Sequence, residues 1–168
     1  HLPQMSYVLG ILDTAYTEKT TNDPSAMTVL GVWHDPQGVP QVMLSNAWEE
    51  WLEFNPLVEK VAKTCTDSKV DRLLVEAKAS GISVAQELQR RYSNSGWGLE
   101  LFDPGKGDKI SRAYAVTHVF EDGAMWAPGY DDGAWRTWVD KVITQMGTFP
   151  KAAHDDLTDT VTAGLKWL

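Results

Sequence analysis

Residues 6–16 read SYVLGILDTAY, and the run from Tyr7 to Leu12 is apolar without interruption until it meets Asp13. A strand with one wet face alternates apolar and polar residues, whereas a strand covered on both faces does not. The stretch therefore predicts a buried strand whose last residue, Asp13, sits at the rim of a sheet. Working outward, TEKTTNDPS (17–25) is turn-forming, and AMTVLGVWHD (26–35) and VPQVMLSNAW (39–48) are two further strands. The connector DPQG (35–38) suits a hairpin, so the chain opens as a three-stranded antiparallel meander.

Beyond the meander the pattern changes period. NPLVEKVAKTCTDS (55–68) has helical spacing at Leu57, Val61 and Ala62, with Pro56 in its first turn. VDRLLVEAKASG (70–81) is another buried strand, ending at Glu76. SGISVAQELQRRY (80–92) is a helix with Ala85, Leu88 and Tyr92 inward and Arg90 and Arg91 outward. GWGLELFDPG (96–105) is a fifth strand, and GDKISRAYAVTHVF (107–120) a helix capped by Asp108 with Ile110, Ala113, Tyr114 and Thr117 on one side. VFEDGAMWAPG (119–129) reads as a hairpin turning at Asp122-Gly123, where a positive φ is easily reached. Two helices close the chain: DDGAWRTWVDKVITQM (131–146), with Trp135, Trp138, Val139 and Val142 inward, and one from Asp155 with Leu157, Val161, Gly164, Leu165 and Leu168 on a stripe. Trp48 and Trp51 are expected to pack over the first helix.

Three meandering strands followed by α/β crossovers give one α/β domain over residues 1–168: a ribonuclease H-like mixed five-stranded sheet flanked by helices, with an extra β-hairpin before the last two helices. In that order the first and fourth strands lie side by side and parallel, which brings Asp13 and Glu76 together outside their carboxyl ends. A third acidic group stands at the mouth of the last helix, in HDDLTDT (154–160). Acidic residues in a first turn complement the helix dipole, and Asp155 alone suits an N-cap. Joined to Asp13 and Glu76, the same carboxylates would repel one another unless a cation neutralised them. Hard oxygen ligands of this kind suit Mg2+ or Mn2+, and a pair of such ions can drive phosphodiester hydrolysis. His34, His118 and His154 lack metal-ligand spacing, and DPGKGDK (103–109) lacks the length and the Ser/Thr of a P-loop.

The bulk numbers are compatible with this chemistry. The 168-residue chain carries a net charge of −8, which argues against a generic nucleic-acid binder. Residues 1–59 have a balance of −7, residues 60–112 of +3 and residues 113–168 of −4, so only the middle third could face a polyanion. No apolar run approaches a membrane span and no signal peptide is visible. A single cysteine, Cys65, excludes an intrachain disulfide and suits a reducing cytoplasm. The opening HLPQMSYVLG, with no initiator Met, is expected of a fragment excised from a longer protein.

The segments LDTAYTEKTTNDPSAMTVLGVW (12–33), LLVEAKASGISVAQELQRR (73–91), GDKISRAYAVTHVFEDGAMWAP (107–128) and FPKAAHDDLTDTVTAGL (149–165) resemble, in order, the C-terminal nuclease domain of the large terminase subunit of tailed bacteriophages. The resemblance implies a two-metal endonuclease, using Mg2+ or Mn2+, that cuts concatemeric double-stranded viral DNA during packaging. It implies Asp13, Glu76 and Asp156 as catalytic metal ligands, with Asp155, Asp159 and Asp23 near enough to assist. It implies DNA contacts from Lys78, Lys109 and Arg112, and a hairpin at 119–130 that gates the groove or packs Trp126 on the core. The implied partners are an N-terminal ATPase domain of the same protein, the small terminase subunit and the portal, in the host cell cytoplasm. No Walker-type loop exists here, so this chain is not the motor. A junction-resolvase or transposase-like nuclease is the alternative with the same fold. A non-catalytic docking domain is a third reading, against which the intact Asp13, Glu76 and Asp156 set speaks.

Overall fold

A computed structural model describes residues 2–16, 22–129 and 137–168. The sheet is built from β1 (Tyr7–Asp13), β2 (Ser25–His34), β3 (Pro40–Glu50), β4 (Arg72–Glu76), β5 (Gly98–Phe102) and β6 (Met125–Trp126). Its order is β5-β4-β1-β2-β3-β6. β1, β2 and β3 run antiparallel, and β4 and β5 join β1 in parallel. The helices are α1 (Phe54–Asp67), α2 (Ala79–Tyr92), α3 (Lys109–Tyr114), α4 (Thr117–Glu121), α5 (Thr137–Thr148) and α6 (Asp156–Trp167).

Successive side chains of the central strands leave opposite faces, and each face has its own core. Val8 and Leu12 of β1, with Leu73 and Val75 of β4, meet Leu57, Val61 and Cys65 of α1 and Val84 and Leu88 of α2. Leu9 and Ile11 of β1, with Leu74 of β4, meet Val142 of α5 and Leu157, Val161 and Leu165 of α6. Each such side chain taken from water contributes about 1.5–3 kcal/mol, which is why the apolar runs settle between two helical layers. Burial pushes the Cys65 thiol up to about 12, as suits an inert core residue.

Two glycines let helices close on the carboxyl ends of the strands. A Cβ on Gly81, in the first turns of α2, would lie 2.0 Å from the Glu76 carbonyl oxygen, so only glycine allows so tight a return after β4. A Cβ on Gly164 would lie 2.6 Å from Ile11 Cδ1 and 2.7 Å from Leu30 Cδ1, so α6 lies flush on β1 and β2.

The fold agrees with the ribonuclease H-like expectation, with two corrections to its details. The sheet has six strands, because Met125 and Trp126 pair in parallel with Val42 and Met43. The stretch read as a hairpin is instead α4 followed by β6. Its Asp122-Gly123 pair ends a helix: Gly123, at φ 68°, donates its N–H to the Phe120 carbonyl. The registers Tyr7–Val32, Val32–Val42 and Val42–Met125 put β6 level with the start of β1, at the opposite end of the sheet from Asp13. There Trp126 packs edge-on to Trp33, so this strand does not overhang the carboxylates.

The helix expected over 107–120 is broken at Ala115-Val116, where Val116 turns into the core. Ile110 and Tyr114 of its supposed apolar stripe are exposed, and so is Leu168 at the end of α6. Trp135 lies outside the described residues. Trp48 does pack on α1, donating to Thr64 Oγ1 at 3.0 Å, whereas Trp51 turns away and donates to the Asn22 carbonyl at 2.6 Å. Among the described residues no helix is long and apolar enough to cross a membrane.

Candidate metal centre

Asp13 and Glu76 stand one step beyond the Leu12–Val75 pair of the parallel β1–β4 ladder. Asp156 opens α6 above them. All three line one cavity of about 390 Å3, together with Asp23, Asp159, Lys78, Lys109 and Arg112. The backbone after Asp13 is tied down twice: Thr14 Oγ1 and Ser80 Oγ are hydrogen-bonded at 2.7 Å, and the Ala15 N–H donates to Ser25 Oγ at 2.8 Å.

The electrostatics are those of a crowded anionic site. Asp156 is buried, and burial together with Asp13, Asp23, Asp155 and Glu49 pushes its carboxyl up to about 7. Burial and the neighbouring Asp13 raise Glu76, with Lys78 opposing. Burial also raises Asp159, against the pull of Lys109. Lys78 Nζ pairs with Asp13 and lies 4.0 Å from Glu76 Oε2. Burial works against its ammonium, but the two carboxylates outweigh it and hold its pKa above the usual lysine range. Lys109 Nζ lies 2.7 Å from Asp155 Oδ1 and 2.8 Å from Asp159 Oδ2, and these bonds likewise overcome burial and raise it. Lys109 thus fastens α3 to α6. Arg112 lines the cavity while donating to the Gly107 carbonyl at 2.7 Å.

Asp108 caps α3 as expected, accepting the Ser111 N–H at 2.7 Å, and that bond holds its carboxyl below the usual range. Asp155 holds the N-cap position of α6, but its side chain caps nothing and is taken up by Lys109.

The sequence reading set His154 aside, and the structure brings it in. Ligand atoms of Asp23, His154 and Asp156 lie within 4.8 Å of one another. His154 Nδ1 is buried with no hydrogen-bond partner among the described residues, 3.8 Å from Asp23 Oδ1. Its ring packs edge-on to Trp51, whose indole N–H holds the Asn22 carbonyl next to Asp23. His154 and Asp23 are 131 positions apart, so no local spacing rule could pair them; the signal present was a histidine immediately before two aspartates.

These residues fit a divalent cation. Carboxylates held partly out of water and pushed toward protonation need positive charge, and two lysines answer only part of it. The carboxylate oxygens suit Mg2+ or Mn2+, and the one imidazole nitrogen favours the transition metal of the two.

The chain is therefore a ribonuclease H-like α/β protein with a carboxylate-lined cavity at the carboxyl edge of its sheet. Neither a protein-family model nor a curated protein sequence matches it. Solved structures do. The nuclease domain of the large terminase subunit gp2 of bacterial virus Sf6 is similar with a TM-score of 0.68 at 8% identity, over 97% of this chain and 89% of that one. A mutant form of that Sf6 domain with manganese is similar with a TM-score of 0.64 at 8% identity, over 96% and 88%. The fowlpox virus Holliday junction resolvase has a TM-score of 0.56 at 17% identity, over 95% and 96%. RuvC of Thermus thermophilus has a TM-score of 0.52 at 12% identity, over 95% of each chain. The terminase resemblance read from the sequence thus recurs in the fold.

Proposed function

We propose that this chain is a divalent-metal-dependent endonuclease that cuts concatemeric double-stranded viral DNA during genome packaging. The observation that carries the reading is the convergence of carboxylates from β1, β4 and α6 in one cavity, on a fold shared with a terminase nuclease domain. Asp13, Glu76 and Asp156 are the catalytic ligands of two Mg2+ or Mn2+ ions. Asp13 and Glu76 would hold one ion and Asp156, with Asp23 and His154, the other, with Asp155 and Asp159 near enough to assist. The bound ions supply Lewis acidity, a more acidic water and neutralisation of the charge on the reacting phosphate.

The chain's own residues orient and steer. Lys78, facing Asp13, is the cation best placed to meet a phosphate oxygen. Arg112 extends the basic rim on α3, and Lys109 keeps α6 and its carboxylates in place. On this reading the domain works in the cytoplasm of an infected cell, joined to an ATPase domain and served by a small terminase subunit and the portal.

The test offers a supercoiled plasmid and a four-way junction with Mn2+ or Mg2+. Comparison is with Asp13→Ala, Glu76→Ala, Asp155→Ala and Asp156→Ala. Ion-dependent plasmid cutting, lost in the Asp13, Glu76 and Asp156 variants while they stay folded, supports the proposal. Cutting confined to the junction would favour the resolvase reading, which the fowlpox and Thermus neighbours motivate. A parent chain that neither cuts nor binds Mn2+ would refute the nuclease reading.

A further inference from the structure

Asp156 is the first residue of α6, so its position depends on how that helix begins. Asp155 leaves the first turn uncapped, since its carboxylate is held by Lys109. The missing acceptor comes from another helix. Gln145, buried on α5, accepts the Leu157 N–H at its Oε1, 3.2 Å away. Its Nε2 donates to Glu49 Oε2 on β3 at 2.9 Å. The other Glu49 oxygen takes Lys141 Nζ at 2.9 Å, from one turn earlier on α5. The chain of bonds has a single polarity. An ionised Glu49 only accepts, so the Gln145 amide must turn its NH2 toward β3, which leaves its oxygen for α6.

We propose that Gln145 is a positioning residue for the metal centre: through Glu49 it anchors the first turn of α6 to the sheet and thereby holds Asp156 over Asp13 and Glu76. The proposal rests on the metal-centre reading above. Asp156 faces like charges on several sides, and an unanchored first turn would let it swing toward solvent. A buried N–H left without its acceptor adds to the cost of keeping the turn wound. Removing a group hydrogen-bonded to a metal ligand lowers metal affinity by about 10- to 100-fold in other proteins; Gln145 acts one step further out, on the backbone next to Asp156, so the lower end of that range is expected.

The test is calorimetric Mn2+ binding, with the Tm of the metal-free protein measured alongside. Gln145→Met, of similar length and without either bond, is expected to weaken Mn2+ binding by about tenfold. Gln145→Glu keeps an acceptor for Leu157 but sets a carboxylate against Glu49; it is expected to weaken Mn2+ binding comparably and serves if Gln145→Met does not fold. Adding Glu49→Gln to Gln145→Glu reverses the polarity of the bridge. The amide on β3 then donates to the carboxylate on α5, whose second oxygen still accepts the Leu157 N–H. Affinity is expected to return to within about threefold of the parent. Folded single variants that bind Mn2+ as tightly as the parent would overturn the inference, as would a folded double variant that stays weak. If the parent itself binds no Mn2+, the metal-centre reading falls and takes this inference with it.

Discussion

Replacing Asp156 with asparagine should make the metal-free protein more stable above pH 7 and less able to hold a divalent ion. Burial and four neighbouring carboxylates push this carboxyl up to about 7, against an ordinary aspartate value of 3.8. A folded-state pKa above the unfolded one means that the folded protein binds the extra proton. Stability therefore falls as pH rises from about 4 to about 7, and the whole penalty is present above that. A gap of roughly three pH units corresponds to about 4 kcal/mol. Relaxation of a shared cluster reduces this, and about 2 kcal/mol is the working figure. Asparagine has the shape of the protonated acid and never ionises, so Asp156→Asn escapes the penalty. For a chain of this size the gain is about 4–8 °C in Tm at pH 8, shrinking through pH 5 and reaching zero only near pH 4. Melting in EDTA across that range measures it. Mn2+ should then reverse the order, because saturation at a hundredfold excess over Kd stabilises the parent by about 2.7 kcal/mol. An asparagine variant that melts at or below the parent at pH 8 in EDTA would refute the claim that Asp156 is held under electrostatic strain.

Lys78→Met removes the cation that shares Asp13 and Glu76 with an incoming ion. Calorimetry should show Mn2+ binding tighter by about threefold or more, while plasmid cutting falls; weaker Mn2+ binding would contradict the role given to Lys78. Gly81→Ala sets a methyl group against the Glu76 carbonyl and should cost about 3 kcal/mol or more in urea unfolding. Gly164→Ala meets side-chain atoms only, the Ile11 Cδ1 and Cγ1 and the Leu30 Cδ1, and regains helix propensity, so it should cost less, about 1–2 kcal/mol; the reverse ranking would show that the β4–α2 return is looser than described. Mn2+ bound to the parent chain should show nitrogen-14 coupling in pulsed electron paramagnetic resonance, and His154→Ala should lose it. Coupling that persists in the variant would remove His154 from the ligand set.

Much of the scaffold of the site was legible because burial writes itself into sequence. The unbroken run before Asp13 and the shorter one before Glu76 could belong only to strands covered on both faces. A parallel β1–β4 pair then makes neighbours of residues 63 positions apart. One signal with two physical meanings was misread. Asp122-Gly123 carries the positive φ of a hairpin turn, but the same glycine conformation ends helices, and here it closes α4. Lys109, expected with Arg112 to meet DNA, lines the cavity and there pairs with Asp155 and Asp159, contacts between segments 46 and 50 positions apart that sequence spacing could not show. The Gln145 bridge left no pattern, and the His154–Asp23 approach only a histidine set before two aspartates, because each joins segments that only the finished fold brings together.

The charge of the site bears on how an acidic domain could act on DNA. The cavity is lined by six carboxylates, from Asp13, Asp23, Glu76, Asp103, Asp156 and Asp159, and by four cations, from Lys78, Lys109, Arg112 and Lys166. Fully ionised, that lining sums to −2, and a phosphodiester entering it would meet repulsion. On the proposed reading two divalent ions carry +4 and turn the same lining to +2. Metal and DNA are then coupled ligands: each lowers the electrostatic cost of the other, and by linkage the factor is the same in both directions. This removes the conflict between a net charge of −8 and a polyanionic substrate. A nuclease of the proposed kind needs no broad basic face, because the charge that draws the phosphate in would be borrowed and concentrated where the bond is cut. A site built this way is restrained without metal, since Lys78 and a protonated Asp156 quiet its carboxylates but give little grip on DNA. On the proposed reading, its acidity is thus the means by which cutting is made conditional on the ion.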